Sequence, residues 1–123
     1  MFTNTRAFSG FSVDDIQRAK DFYGEVLGLE VSEENGMLGL QIPDGGRIMI
    51  YPKDDHEPAT FTILNFPVED IDVAADELAE RGVSLVKYEQ FDQDEKGIMR
   101  GEGGPPIAWF EDPAGNVLSI LEV

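Results

Sequence analysis

The chain repeats itself. Val13, Asp15, Ile16 and Ala19 recur as Val68, Asp70, Ile71 and Ala74, an offset of 55 residues, and Tyr23 has an apolar counterpart in Leu78. Later in each copy Pro43, Gly45 and Ile48 recur as Pro113, Gly115 and Leu118, an offset of 70, and the next pair, Met49 and Ser119, differs in polarity. Agreement at both ends of a stretch this long restricts the fold to one module used twice. The second copy closes on the run from Trp109 to Leu121. Its centre, Asp112-Pro113-Ala114-Gly115, has Pro to fix φ and Gly to accept φ > 0, as a β-turn requires. Its apolar, partly aromatic and β-branched flanks read as hairpin strands. Pro43 to Ile50 is a shortened echo of it.

Within the first copy, Ala7–Val13 alternates as a strand, with Arg6, Phe8, Gly10 and Ser12 on one face and Ala7, Ser9, Phe11 and Val13 on the other. Asp14 is the expected N-cap of the next helix, with Gln17 completing a capping box. Ile16, Ala19, Phe22, Tyr23 and Val26 form its apolar stripe and Gly28 its stop. Strands are expected around Leu29–Ser32, Met37–Ile42 and Arg47–Tyr51. The polar run from Pro52 to Ala59, with two prolines, reads as a linker. The order then restarts: a strand over Thr60–Val68, with Phe61, Ile63 and Asn65 on one face, then a helix from Glu69 or Asp70 carrying Ile71, Ala74, Ala75 and Leu78 and ended by Gly82. A strand over Val83–Tyr88 follows, then a long acidic, Gly-rich segment from Glu89 to Pro106, then strands at Ile107–Glu111 and Asn116–Leu121. Segments of that length are often functional lids or disordered segments. The expected organisation is a single domain, 1–123, built of modules at 1–52 and 60–123 joined by a linker at 53–59. The fold class is α+β: two tandem β-α-β-β-β modules, forming a cup-shaped mixed sheet with helices outside.

The charge narrows the function. Against 9 Lys and Arg stand 25 Asp and Glu, a net charge of −16. Such a surface argues against nucleic acid and against anionic membranes, and can draw a cationic ligand towards the protein. The absence of cysteine removes disulfides, thiolate metal sites and thiol nucleophiles. The N-terminus lacks the basic start and apolar run of a signal peptide, and no apolar segment approaches the roughly 20 residues of a membrane helix. A cytoplasmic location is the expectation.

The segment Phe11 to Leu29, with Val13-Asp14-Asp15-Ile16, Phe22-Tyr23 and Leu27-Gly28, resembles the opening of the vicinal oxygen chelate superfamily, which includes glyoxalases, bleomycin-resistance proteins and extradiol dioxygenases. Trp109 to Leu121 resembles its closing strand–Asp-Pro-x-Gly–strand. The resemblance implies the doubled module and a cup in which metal-dependent members hold a divalent cation through His and Glu. By position it places those ligands at Phe8, Met49, Ile63 and Ser119. Phenylalanine and isoleucine offer no lone pair, and a thioether and one hydroxyl are weak ligands for such an ion. In this respect the chain resembles the metal-free bleomycin-resistance branch, so neither a metal nor another cofactor is expected. The resemblance also implies a homodimer.

A mostly apolar concavity with a few polar groups suits a small-molecule ligand. Phe8, Met49 and Ile63 can line it with Ser119 as a polar handle, Arg47, Tyr51 and Asn65 are neighbours on the same strand faces, and Trp109, like Tyr88, can stack on a planar or cationic ligand. The alternative for the first set is a filled core, and for the aromatics core or interface packing. His56, the single histidine, reads as a solvated loop residue. Glu89, Glu102 and Glu111 are candidates for a general base in the second module. The expected function is metal-independent binding of a small, partly apolar molecule, for sequestration or sensing. The alternative is a lyase- or dioxygenase-type enzyme with a carboxylate base or a further metal site.

Overall fold

A computed structural model of the chain describes residues 1–101 and 103–123. The chain forms two compact units, Met1–Pro58 and Ala59–Val123. The first contains β1 (Ser9–Val13), α1 (Ile16–Asp21), β2 (Glu30–Glu34), β3 (Met37–Ile42) and β4 (Gly46–Pro52). The second contains β5 (Thr62–Val68), α2 (Ile71–Glu80), β6 (Ile107–Glu111) and β7 (Val117–Glu122). The α+β class and the repeated strand–helix–sheet order are as the repeat requires.

In the first unit the sheet order is β1-β4-β3-β2, with β1 parallel to β4 and the other pairs antiparallel. One face carries Val13, Leu38, Leu40 and Ile50, all buried, with Ala19, Phe22 and Tyr23 of the helical segment also in the core. Burying side chains of this kind contributes about 1.5–3 kcal/mol each. Tyr23 is fully buried, its ring 5.9 Å from Phe11 and edge-on to Phe22 at 5.1 Å. After Asp21 the helix widens into a π-helical turn, Phe22–Val26, in which Leu27 N–H donates to Phe22 C=O. Gly28, at φ 76°, ends it in a conformation that strains any residue with a β-carbon.

The N-cap of α1 is Asp15 rather than the expected Asp14: its carboxylate accepts from the N–H groups of Gln17 and Arg18, both at 3.1 Å. Asp70 does the same for α2, accepting from Asp72 and Val73, and the two caps share one backbone conformation (φ −136°, ψ 107° and φ −135°, ψ 107°). Asp14 is one residue too early to reach those N–H groups.

In the second unit the sheet order is β5-β7-β6, β5 and β7 being parallel. The face carrying Ala108, Phe110, Leu118 and Ile120 is buried, with Ile71, Ala75 and Leu78 of α2 also in the core. The strand expected over Val83–Tyr88 reduces to a single bridge, Val86 to Trp109. The Gln93 side chain accepts from Tyr88 N–H and donates to Val86 C=O. The hairpin joining β6 to β7 is built on Asp112, whose Oδ1 accepts from Ala114 and Asn116 N–H (2.9 Å each) and whose Oδ2 accepts from Asn116 Nδ2 (3.0 Å). Gly115, at φ 87°, completes the turn.

Register confirms the repeat residue by residue. Gly10, Met49 and Gly39 stand in one cross-strand row of the first unit, with Ser32 beyond Gly39. Asn65, Ser119 and Trp109 form the equivalent row of the second, with Val86 beyond Trp109. The offsets of 55 and 70 map the first three residues of one row onto the other. The alternation along β5 does break: the register slips between Thr62 and Leu64, a β-bulge at Ile63.

Candidate functional site

The second unit holds an open aromatic pocket of about 280 Å³, lined by Thr60, Phe61, Thr62, Tyr88, Gln90, Phe91, Trp109 and Val117. Trp109 enters from β6, and its ring lies parallel to Phe91 at 5.0 Å and 20°. Tyr88 meets both rings edge-on, at 5.6 Å to Trp109 and 5.9 Å to Phe91. These are the separations at which offset-stacked and edge-to-face aromatic pairs are favourable. Trp109 Nε1–H donates to Thr62 Oγ1 at 3.2 Å, fixing the indole against β5. Phe61 stands 68 % exposed at the rim, so a large apolar surface remains open to a ligand. Burial, and then the negative charge of Glu111, push the Tyr88 phenol above its usual range, so at neutral pH it is an uncharged donor.

The segment after α2 is ordered by side chains rather than by a ladder. Gln93 Oε1 accepts from Tyr88 N–H at 2.7 Å, while its Nε2 donates to Val86 C=O (3.0 Å) and Gly97 C=O (2.7 Å). Asp94 Oδ1 accepts from the N–H groups of Lys96, Gly97 and Ile98, between 2.9 and 3.1 Å. Arg100 joins Asp94 Oδ2 to both oxygens of Asp72 on α2, and Lys96 bridges Asp72 and Asp76. Burial alone would raise the Asp94 carboxyl, but the Ile98 N–H, Arg100 and the Lys96 N–H outweigh it and hold it below its usual value. Asp72 is lowered chiefly by the hydrogen bond from Arg100. The ion pairs are exposed and worth little singly. The Gln93 and Asp94 bonds to backbone carry the ordering, and they deliver Tyr88, Gln90 and Phe91 to Trp109.

The first unit has a smaller cleft, about 100 Å³, lined by Phe8, Arg47 and Met49. Three of the residues expected at a ligand site thus meet there. Phe8 is 64 % exposed, and Met49 stands between Gly10 and Gly39 in its row. A β-carbon on Gly39 would lie 2.7 Å from Arg47 Nε and 2.8 Å from its Nη2, and 2.9 Å from Ser32 Oγ. The guanidinium therefore lies against the bare backbone of β3, in space that any other residue would fill.

The remaining expected site residues stand apart from these clefts or differ in role. Ser119 is fully buried and donates from Oγ to Asn65 Oδ1 at 2.5 Å. Ile63 lies at the β-bulge, half-buried, and it is Thr62 that bonds Trp109. Tyr51, half-buried, pairs with Ser12 across β1 and β4. His56 is not a free loop residue: it is half-buried, and its Nδ1 lies 2.6 Å from Ser12 Oγ. Glu89 and Glu111 are exposed and line neither cleft, and Glu102 lies outside the described residues. Thr62, Gln90, Phe91 and Gln93 were not anticipated at the site. One signal was present for Phe91: it follows Tyr88 by three residues, and its N–H closes a turn onto Tyr88 C=O at 3.1 Å.

The family model of the Glyoxalase/Bleomycin resistance protein/Dioxygenase superfamily matches residues 7–120. The chain belongs to this superfamily. It is 27% identical over 126 residues to the uncharacterized protein YraH of Bacillus subtilis (strain 168), covering 90% of this chain and 92% of that one. A glyoxalase family protein from Enterococcus faecalis superimposes with a TM-score of 0.72 at 25% identity, over 99% of this chain and 100% of the other. TnmS3, an antibiotic binding protein from Streptomyces sp. CB03234, shares the fold with a TM-score of 0.67 at 23% identity, over 98% of both chains.

The resemblance implies that the ligands of metal-using superfamily members correspond to Phe8, Met49, Ile63 and Ser119 here, and such ions need oxygen, nitrogen or thiolate donors. These side chains do not fit such an ion. Two have no donor atom, Met49 offers a thioether beside the Arg47 cation, and Ser119 offers one neutral, fully buried hydroxyl, a weak ligand. Among the described residues no group of three or more His, Asp or Glu stands close enough to hold a metal ion. No helix among them is long and apolar enough to cross a membrane.

Proposed function

We propose that the protein binds a small, partly apolar molecule with a planar ring system, without a metal ion, in order to sequester or sense it. The observation that carries this reading is the Tyr88–Phe91–Trp109 pocket, in which stacked and edge-on rings face open space under an exposed Phe61. Thr62 and Gln90 supply polar groups at its wall. Apolar concavities with a few directed polar groups suit recognition of drug-sized compounds. The fold shared with an antibiotic binding protein supports the same reading. The proposal includes a homodimer in solution, which sedimentation equilibrium tests directly.

Trp109 is the single tryptophan, so its fluorescence reports on the pocket alone. Titration with planar polycyclic compounds is expected to quench it saturably. A ligand at 100 times its Kd should also stabilise the fold by about 2.7 kcal/mol. Phe91→Ala removes one wall of the stack and should weaken binding by up to about tenfold. If no planar compound of a broad panel quenches Trp109 or raises the melting temperature, the reading fails.

A further inference from the structure

We infer that the cleft at Phe8, Arg47 and Met49 is a site for a carboxylate borne on an apolar body. The inference rests on the reading that the protein binds small, partly apolar molecules, and it names the charge of a molecule taken at this cleft, which is built wholly from residues of the first unit.

Acids outnumber bases in the chain by 25 to 9. Most of its described Lys and Arg side chains are drawn into ion pairs: Lys20 with Glu33, Lys53 with Asp55, Arg81 with Glu77, and Lys96 and Arg100 with aspartates. Among the described residues Arg47 has no such partner. Arg6, Arg18 and Lys87 also lack one, but they line neither cleft. Arg47 is thus an exposed guanidinium that shares a cleft with two apolar side chains and has no ion-pair partner among the described residues.

Its placement is built into the sheet. Arg47 is on β4, opposite Gln41 of β3, and its head lies over Gly39 two residues along. With no β-carbon at Gly39, the guanidinium approaches the strand beside Ser32, while Arg47 itself remains exposed. A planar fork placed in this way matches the two oxygens of a carboxylate. Phe8 and Met49 give apolar walls for what the carboxylate is attached to, and about 100 Å³ suits one ring or a short alkyl group. The net charge of −16 repels anions at long range, so any preference for one must arise from this short-range contact. The acidic surface alone favours a cationic ligand; the local chemistry of the cleft favours the opposite sign.

The test uses three probes of one shape: benzoate, benzamide and benzylammonium. Each is titrated into the full chain and followed by NMR at the Met49 methyl and Arg47 Nε–H signals. Benzoate is expected to bind about tenfold more tightly than benzamide, with benzylammonium weakest. Arg47→Gln, at an exposed position, should abolish the preference, and Arg47→Lys should keep part of it. Gly39→Ala should reduce it with the charge intact, because the new methyl group displaces the guanidinium. Equal binding of the three probes, no binding by any of them, or an undiminished preference in Arg47→Gln overturns the inference. Quenching of Trp109 by polycyclic compounds is read separately, so loss of the charge preference and loss of ligand binding altogether are distinguishable.

Discussion

At the scale of single residues, Gln93 does the hydrogen bonding that a strand partner does elsewhere in the fold. Its one amide satisfies Tyr88 N–H, Val86 C=O and Gly97 C=O. Replacing it leaves three part-buried backbone groups to find water or nothing. Gln93→Ala should therefore cost about 1–3 kcal/mol in denaturant unfolding and raise amide exchange at Tyr88. Gln93→Glu keeps an acceptor for Tyr88 N–H and removes both donated bonds, so its cost should fall at Val86 C=O and Gly97 C=O while Tyr88 N–H stays bonded. Equal exchange at Tyr88 in native protein and Gln93→Ala would show that the segment is ordered by something else. No sequence pattern announces such a residue. A glutamine between Asp92 and Asp94 in an acidic, Gly-rich run looks solvated, and its importance comes from where the chain folds back.

At the scale of elements, the repeated signals transferred well and the unrepeated ones did not. Asp15 and Asp70 are an aligned pair, and both are N-caps with matching geometry. Reading one copy by itself makes Asp14 look as good, because it too precedes an apolar stripe; only the comparison with Asp70 separates them. Asp15→Ala and Asp70→Ala should each destabilise by about 0.5–2 kcal/mol, whereas Asp14→Ala should stay within about 0.5 kcal/mol of the native protein. Urea midpoints of the three variants decide the matter, and a larger loss for Asp14→Ala would contradict the capping geometry. Two features of β5 and its surroundings were not legible. Period-2 reasoning puts Ile63 and Asn65 on one face, but it cannot see a bulge that inserts a residue and brings Thr62 to Trp109. Val83–Tyr88 has the composition of a strand, yet forming one needs a partner edge. Beyond β6 that edge is shared between Val86, bridged to Trp109, and Met99, bridged to Ile107.

At the scale of the whole chain, one module has been kept twice with different chemistry on corresponding rows. Gly10, Met49 and Gly39 leave space in the first unit that Arg47 and Phe8 border. Asn65, Ser119 and Trp109 fill the same positions in the second with a closed hydroxyl–amide bond and an indole. The rows were legible because offsets of 55 and 70 survive in the sequence; the use each makes of its space depends on neighbours from other strands and loops. Neither row by itself offers what a divalent cation needs. Such an ion takes about four to eight donors, mostly oxygen, imidazole or thiolate. The first row offers a thioether near a guanidinium that repels cations, and the second offers only two neutral side-chain oxygens, those of Ser119 and Asn65. Protein stripped with a chelator should therefore melt at the same temperature with and without equimolar Zn(II), Ni(II) or Mn(II), and should retain its response to planar ligands. A saturable one-to-one rise in melting temperature with any of these ions, lost again on adding chelator, would mean that donors outside these rows assemble a centre, and metal-free binding would have to be abandoned.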